Sequence, residues 1–299
     1  MQRGIVFDVT IRRVRKHFPS AKIIFAHPFV ENPQAQFSKH NIATGKSYAQ
    51  TYSHGSVGRV CIFQHKNGNA YYFSPYITDG HRIKNSLQFP EPFKDFALRD
   101  GKSILVYVSK SSIYKGGFDK EFSDFIQRLE NVSDKKAVET INKIEHIWGA
   151  NKTDHKSVMI DLLRKGVVIH HGSVPLEVRF LIEDFIRSGY ASLCFATSTL
   201  AQGINMPFDI VWLINNRQLG ETEEERALNF KNLVGRSGRL SKNEKFDYGY
   251  VYTSDPISFS QRLNTTYELS LVSILDRPDI EDEEEAVRQP DDRQADDGR

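Results

Sequence analysis

Two arginines that could bind phosphate lie three residues apart in the last third of the chain. They are Arg236 and Arg239, in the glycine-containing loop Gly235-Arg236-Ser237-Gly238-Arg239, which follows a helical segment. A guanidinium group can donate two parallel hydrogen bonds to phosphate oxygens, and it keeps its charge at any physiological pH. The spacing is therefore typical of a site for a polyphosphate.

Two further clusters precede this loop. The first is Ile169-His170-His171-Gly172, with Arg179 on the helix that follows. Adjacent histidines point in different directions, and no cysteine or carboxylate has a suitable spacing to complete a metal site. The second is the stretch from Thr197 to Pro207, where small hydroxyl side chains can donate to phosphate oxygens and Gly203 permits close backbone approach. For Thr199 alone, a helix N-cap is the better interpretation.

The elements that must position these clusters begin at Lys102, where apolar strands alternate with amphipathic helices. The strands are nearly continuous apolar runs, as in a sheet that is buried on both faces. This pattern predicts an α/β fold with a parallel sheet and ligand-binding loops at the carboxyl ends of the strands. The predicted strands are Ile104–Val108, Val167–Ile169, Leu193–Ala196, Ile210–Ile214 and Tyr248–Tyr252, and the helices are Phe118–Leu129, Lys136–Trp148 and Leu176–Ile186.

The first hundred residues have a different organisation. A helix over Val6–Phe18 and a short apolar strand over Ala21–Phe25 form half of a parallel α/β unit, which suggests that earlier strands are missing. Residues Gly58 to Tyr76 predict a β-hairpin around Asn67-Gly68, and the proline-containing run up to Gly101 predicts a linker.

The segment Thr44-Gly45-Lys46-Ser47 has the ending of a phosphate-binding P-loop. Such a loop requires another glycine five positions before Gly45, where this chain has His40, and it should leave a strand directly. We therefore interpret the segment as an ordinary loop.

Charge is divided unevenly along the chain. Residues 276–299 contain 11 acidic and 4 basic residues, so the rest of the chain is basic, which favours contact with a phosphate backbone. This acidic end has almost no apolar residues, which predicts disorder. The two distant cysteines form neither a disulfide framework nor a metal site, and no apolar run is long enough to span a bilayer, so we expect a cytoplasmic protein without a membrane partner.

In this order and spacing, the three clusters resemble the second motor lobe of superfamily-two helicases of the DEAD/DExH-box kind. The resemblance extends from Ile104 to about Thr253, and Asn205 and Asn232 stand where relatives often have Asp and Gln. It implies a RecA-like sheet flanked by helices, preceded by the end of a first lobe and a hairpin linker. It also implies roles for single residues: Arg236 and Arg239 as arginine fingers, Gly203 and Asn205 near ATP, and Ser109, Lys110, His171, Gly172, Thr197 and Ser198 at the nucleic-acid backbone.

Some of these assignments have a structural alternative. Ser109 and Lys110 are explained equally well as a polar loop after a buried strand. Ala26-His27-Pro28 is either a divergent counterpart of the Ser-Ala-Thr motif of a first lobe or an ordinary strand end. An arginine finger must also lie on the face where a second lobe docks, so a buried guanidinium would count against that role.

The chain contains neither a complete P-loop nor an apolar strand that ends in Asp-Glu-x-His/Asp. The first would hold the β-phosphate and the second would hold Mg²⁺. We therefore expect negligible ATP hydrolysis by this chain alone, with ATP and Mg²⁺ bound through a motor completed by a missing amino-terminal lobe, acting on single-stranded DNA or RNA. The alternative is a non-catalytic nucleic-acid-binding or adaptor protein. The predicted divisions are 1–52, 53–101, 102–275 and 276–299.

Overall fold

A computed structural model describes residues 2–27, 29–51, 58–76, 87–99, 101–149, 157–197, 206, 208–213, 222–238 and 248–276. The chain divides into two compact units. One combines Met1–Ser53 with Thr266–Arg299, and the other is His54–Thr265. The first unit is therefore built from the two ends of the chain, which the divisions expected from sequence do not anticipate.

The larger unit contains a seven-stranded sheet. In sheet order the strands are β2, β1, β7, β6, β3, β5 and β4. All neighbouring pairs are parallel except β1 and β2, which form an antiparallel hairpin. The expected α/β class is confirmed, and the sheet is compatible with a RecA-like fold. The strands are β1 Gly58–Gln64, β2 Ala70–Phe73, β3 Ile104–Tyr107, β4 Val167–His170, β5 Leu193–Ala196, β6 Ile210–Leu213 and β7 Tyr248–Thr253.

The hairpin forms where Asn67-Gly68 predicts it, with a positive φ of 86° at Gly68. It does not stand apart from the sheet. Strand β1 pairs in parallel with β7, from Gly58 opposite Tyr248 to Phe63 opposite Thr253. The predicted hairpin therefore extends the sheet at one edge, a long-range pairing that its local sequence does not encode.

Helices pack on both faces of this sheet. Successive side chains of each strand alternate between the two faces, and both faces are apolar. In β3, Leu105 and Tyr107 join one apolar core, while Ile104 and Val106 join the other. The helices of the described residues, across both units, are α1 Gln2–His17, α2 Ala35–Lys39, α3 Phe93–Ala97, α4 Lys110–Lys115, α5 Ser123–Arg128, α6 Lys135–Ile147, α7 Val158–Arg164, α8 Leu176–Arg187, α9 Glu223–Val234 and α10 Pro256–Asn264.

In the smaller unit, the carboxylate of Asp8 on α1 is fully buried. It accepts hydrogen bonds from the Ser273 hydroxyl at 2.6 Å and from the backbone N–H of Ile274 at 3.0 Å. The Lys39 ammonium lies 3.2 Å from its other oxygen. Although burial by itself raises the pKa of Asp8, these hydrogen bonds and the Lys39 charge outweigh it and lower that pKa. A charged Asp8 thus joins the two ends of the chain.

Two sequence predictions need correction. The strand expected over Ala21–Phe25 does not form: these residues have no regular structure, and Ile24 is 90% exposed. A strand needs a neighbouring strand for its backbone groups, and within the described residues no strand pairs with this segment. The single helix expected over Phe118–Leu129 is shorter, consisting of a 3-10 turn at Lys120–Phe122 followed by α5.

The loop interpretation of Thr44–Ser47 is confirmed. The N–H of Ser47 donates to the carbonyl of Thr44, and the Ser47 hydroxyl accepts from the N–H of Thr44 at 2.9 Å. This pair of hydrogen bonds closes a local turn, and no strand leads directly into it.

Candidate functional site

The carboxyl ends of three neighbouring strands bring several predicted contact residues to one edge of the sheet. Strands β4, β5 and β3 are adjacent, and Tyr107, Ala196 and His170 lie side by side in register. Ser109 and Lys110 follow β3, Thr197 follows β5, and His171 and Gly172 follow β4. Residues up to 88 positions apart in sequence therefore end at one edge because parallel strands share their direction. We call these five residues the carboxyl-edge cluster.

Within the carboxyl-edge cluster, exposure differs from residue to residue. Lys110 and Gly172 are exposed and Ser109 is half-buried, while Thr197 and His171 are buried. The Ser109 hydroxyl caps α4 by accepting from the N–H of Ser112 at 3.1 Å. Its capping role is thus visible in the geometry, whereas its role at a nucleic-acid backbone stays a prediction.

A tyrosine that sequence reasoning did not single out stands beside this cluster. Tyr114 on α4 is 62% exposed, and its hydroxyl donates to the Ser173 hydroxyl at 2.8 Å. Its ring lies edge-on to His171 with 5.8 Å between ring centres, and the Lys110 ammonium lies 5.7 Å above the ring. Burial and then the nearby Lys110 charge lower the pKa of His171, so its imidazole is neutral at pH 7. The available sequence signal was an aromatic residue four positions after Lys110.

The other histidine of the pair points elsewhere. The Nε2 atom of His170 lies 3.4 Å from the Glu183 carboxylate on α8, and both side chains are buried. Burial, and then the charge of Arg179, lower the pKa of His170 to about 4, while burial raises the pKa of Glu183. An ion pair would shift both values the opposite way, so burial prevails over mutual attraction here. His170 is consequently a neutral group that anchors α8 to the end of β4.

The arginine-bearing turn lies near the amino ends of the strands, opposite the carboxyl-edge cluster. The N–H of Phe208, just before β6 begins, donates to the Arg236 carbonyl at 3.1 Å, and the N–H of Gly238 donates back to Phe208 at 2.9 Å. Gly238 also packs against Gly249 near the start of β7. Strands of four residues at about 3.3 Å each separate the two edges by about 13 Å. The predicted residues therefore belong to two places on the unit.

The Arg236 side chain is only 4% exposed. This is not the exposed position expected of an arginine finger, and that role stays a prediction. Ser237 beside it is 1% exposed, and its hydroxyl donates to the Val234 carbonyl at 2.9 Å. The predicted residues Ser198, Gly203, Asn205 and Arg239 lie outside the described residues.

Two further observations concern cofactors and membranes. Across the described ranges, no three histidine, cysteine or carboxylate side chains are grouped so that they could bind a metal ion. Of the helices listed above, none has both the length and the apolar character needed to cross a bilayer.

The fold defines the larger unit as an α/β unit of mostly parallel strands, and the comparisons relate part of the chain to helicases. No protein-family model matches the chain. Part of it is 28% identical over 161 residues to the ATP-dependent DNA helicase Hel308 of Pyrococcus abyssi, covering 53% of this chain. It is also 34% identical over 84 residues to Hel308 of Pyrobaculum calidifontis, and 34% identical over 109 residues to the Hachiman protein HamB of Bacillus cereus.

These matches cover only part of each protein. They account for 27% and 32% of this chain for the Pyrobaculum calidifontis and Bacillus cereus proteins. The matched part spans 22% of Hel308 of Pyrococcus abyssi, 12% of Hel308 of Pyrobaculum calidifontis and 10% of HamB of Bacillus cereus. The chain thus contains a helicase-related region that corresponds to less than a quarter of each relative.

Proposed function

We propose that this chain supplies the second RecA-like lobe of an ATP-dependent helicase and that its carboxyl-edge cluster contacts the backbone of a single-stranded nucleic acid. The observation that carries the proposal is the convergence of Ser109, Lys110, Gly172 and Thr197 at the ends of three adjacent parallel strands. Hydroxyls, a backbone glycine and an ammonium group together suit phosphate oxygens. The similarity to ATP-dependent DNA helicases supports the same function.

In the proposed motor, this lobe grips the strand while the amino-terminal lobe supplies the P-loop and the Mg²⁺ ligands. Lys110 is the main cationic contact because it is the exposed lysine of the carboxyl-edge cluster. Backbone contact does not depend on base identity, so the proposal covers both DNA and RNA. ATP binding would close the two lobes on the strand.

The strand contact is tested on the chain itself. Fluorescence anisotropy measures binding of a labelled 20-nucleotide single strand over a range of salt concentrations. Lys110→Ala should weaken binding and lower the salt slope of log K by about 0.7, the effect of one lost contact to a single-strand phosphate. Lys115→Ala is the matched control, because Lys115 is another exposed lysine on the same short helix. Equal losses for the two variants would contradict a specific contact.

The low exposure of Arg236 favours a second candidate function, a nucleic-acid-binding or adaptor protein that hydrolyses no nucleotide. In the motor, Arg236 must leave its buried position to neutralise the transferring phosphoryl group. The test of this role mixes the chain with a lobe that carries the P-loop and measures the rate of ATP hydrolysis. Arg236→Ala should lower turnover by about 10³-fold or more, as loss of an arginine finger does, while exposed Arg128→Ala should not. Turnover unchanged by Arg236→Ala would refute the finger role, and turnover no higher than that of the added lobe alone would favour the adaptor.

A further inference from the structure

Tyr114 is exposed to solvent but held in a fixed orientation. Its backbone lies on α4, and at its far end the hydroxyl donates to Ser173 at 2.8 Å. The His171 ring meets the Tyr114 ring in a T-shaped contact, and 62% of Tyr114 remains exposed. An aromatic ring that is ordered before a ligand arrives loses little conformational entropy on binding.

The charges around the ring favour an anionic, aromatic ligand. The Lys110 ammonium lies 5.7 Å from the ring centre, and Gly172 exposes backbone next to His171. A nucleotide combines a flat base with a phosphate, so it can occupy a ring face and a neighbouring cation together. A peptide or membrane ligand would not need both features at this spacing.

We infer that Tyr114 is a stacking platform for one unstacked base of the bound single strand. The inference rests on the proposed function and extends it from phosphate contact to base contact. When the base covers the ring, the Lys110 ammonium leaves the ring face and moves to the adjacent phosphate. Because every base has a flat face, this subsite accepts any sequence but requires a base to be present.

A purely structural role for Tyr114 makes a different prediction. The ring could simply join α4 to the Ser173 loop through its hydroxyl. Tyr114→Phe removes that hydrogen bond and keeps the ring, whereas Tyr114→Ala removes both. A stacking role predicts that the phenylalanine variant binds like the original chain, and a structural role predicts that both variants lose binding and thermal stability together.

The experiment measures binding of the full chain to two labelled 20-nucleotide strands, oligo-dT and a strand of equal length whose central nucleotides lack bases. Tyr114→Ala should bind oligo-dT about tenfold more weakly and should bind the abasic strand as the original chain does. Tyr76→Ala removes another exposed tyrosine and should bind both strands unchanged. Quenching of a 2-aminopurine base in the strand by the original chain and by Tyr114→Phe, but not by Tyr114→Ala, is the second expected result.

Three outcomes would overturn the inference. The first is an unchanged affinity of Tyr114→Ala for oligo-dT while Lys110→Ala weakens binding, which would leave the proposed function intact. The second is an equal loss of Tyr114→Ala binding on both strands, which would assign the residue a structural role. The third is failure of the original chain to bind either strand, which would remove the proposed function as well.

Discussion

The close approach of two glycines beneath the Arg236 turn leads to a quantitative prediction. A Cβ atom added at Gly249 would lie 2.7 Å from the Cα of Gly238, and one added at Gly238 would lie 2.6 Å from the Cα of Gly249. Both neighbours are backbone atoms, which cannot turn aside as a flexible side chain can. Alanine at either position must therefore push the turn away from the start of β7.

Two separate causes determine the expected loss of stability: collision of the added Cβ atom with backbone, and strain from a positive φ. Gly249→Ala introduces only the collision, since its backbone has no positive φ, and overpacking of this kind costs about 1–3 kcal/mol. Gly68→Ala introduces only backbone strain, because φ is 86° but no atom lies within 4 Å of the added Cβ, and this costs about 1 kcal/mol. Gly238 has a φ of 67° as well as the collision, so its alanine variant should lose about 2–5 kcal/mol.

The assay is urea unfolding followed by tryptophan fluorescence, which reports on Trp212 in the centre of the sheet and on Trp148 beside the apolar core. Gly68→Ala should lower the free energy of unfolding least, Gly249→Ala should lower it more, and Gly238→Ala should lower it most. A loss for Gly249→Ala no larger than that for Gly68→Ala would refute the close packing of the Arg236 turn on β7. The positions assigned to the turn and to Arg236 would then be wrong.

Two further predictions concern buried titratable groups. The pKa of His170 is about 4 in the folded chain and about 6.5 when exposed, so the folded state binds fewer protons between these values. Its contribution to stability is complete above pH 6.5 and falls by about 3 kcal/mol as the pH drops to 4. His170→Gln removes the histidine and leaves Glu183 to titrate. Between pH 6.5 and pH 4 this variant should lose less unfolding free energy than the original chain, and an equal loss would contradict the prediction. Burial also raises the pKa of Cys61 to about 12 and that of Cys194 further, so a thiol reagent at pH 8 should label neither until the chain unfolds.

Local sequence patterns predicted most of the secondary structure of the larger unit. Continuous apolar runs marked β3, β5 and β6, and Asn67-Gly68 marked the hairpin turn, because these features depend on a few consecutive residues. The same reasoning failed at Ala21–Phe25, which has the composition of a strand but no neighbouring strand within the described residues. An apolar pattern shows that a segment can form a strand, but only a partner makes it form one.

The candidate site was predictable in its residues and less so in its geometry. The order of the strands placed Lys110, Thr197 and Gly172 at one edge, as expected of loops that leave parallel strands. Tyr114 was missed because its importance depends on contacts with His171 and Ser173, more than 55 residues away. The burial of Arg236 was also beyond reach, since exposure depends on what packs around a residue.

The sequence alone determined the strands of the larger unit and some of its helices, which residues could bind phosphate, and where the basic and acidic regions lie. These properties follow from local periodicity, side-chain chemistry and charge. Only the tertiary structure decided that the hairpin joins the sheet beside β7, that Asp8 holds Ser273 from the other end of the chain, and that the arginine turn lies at the opposite edge from Lys110. Each of these depends on pairing and packing between distant segments, for which a single sequence carries no local signal.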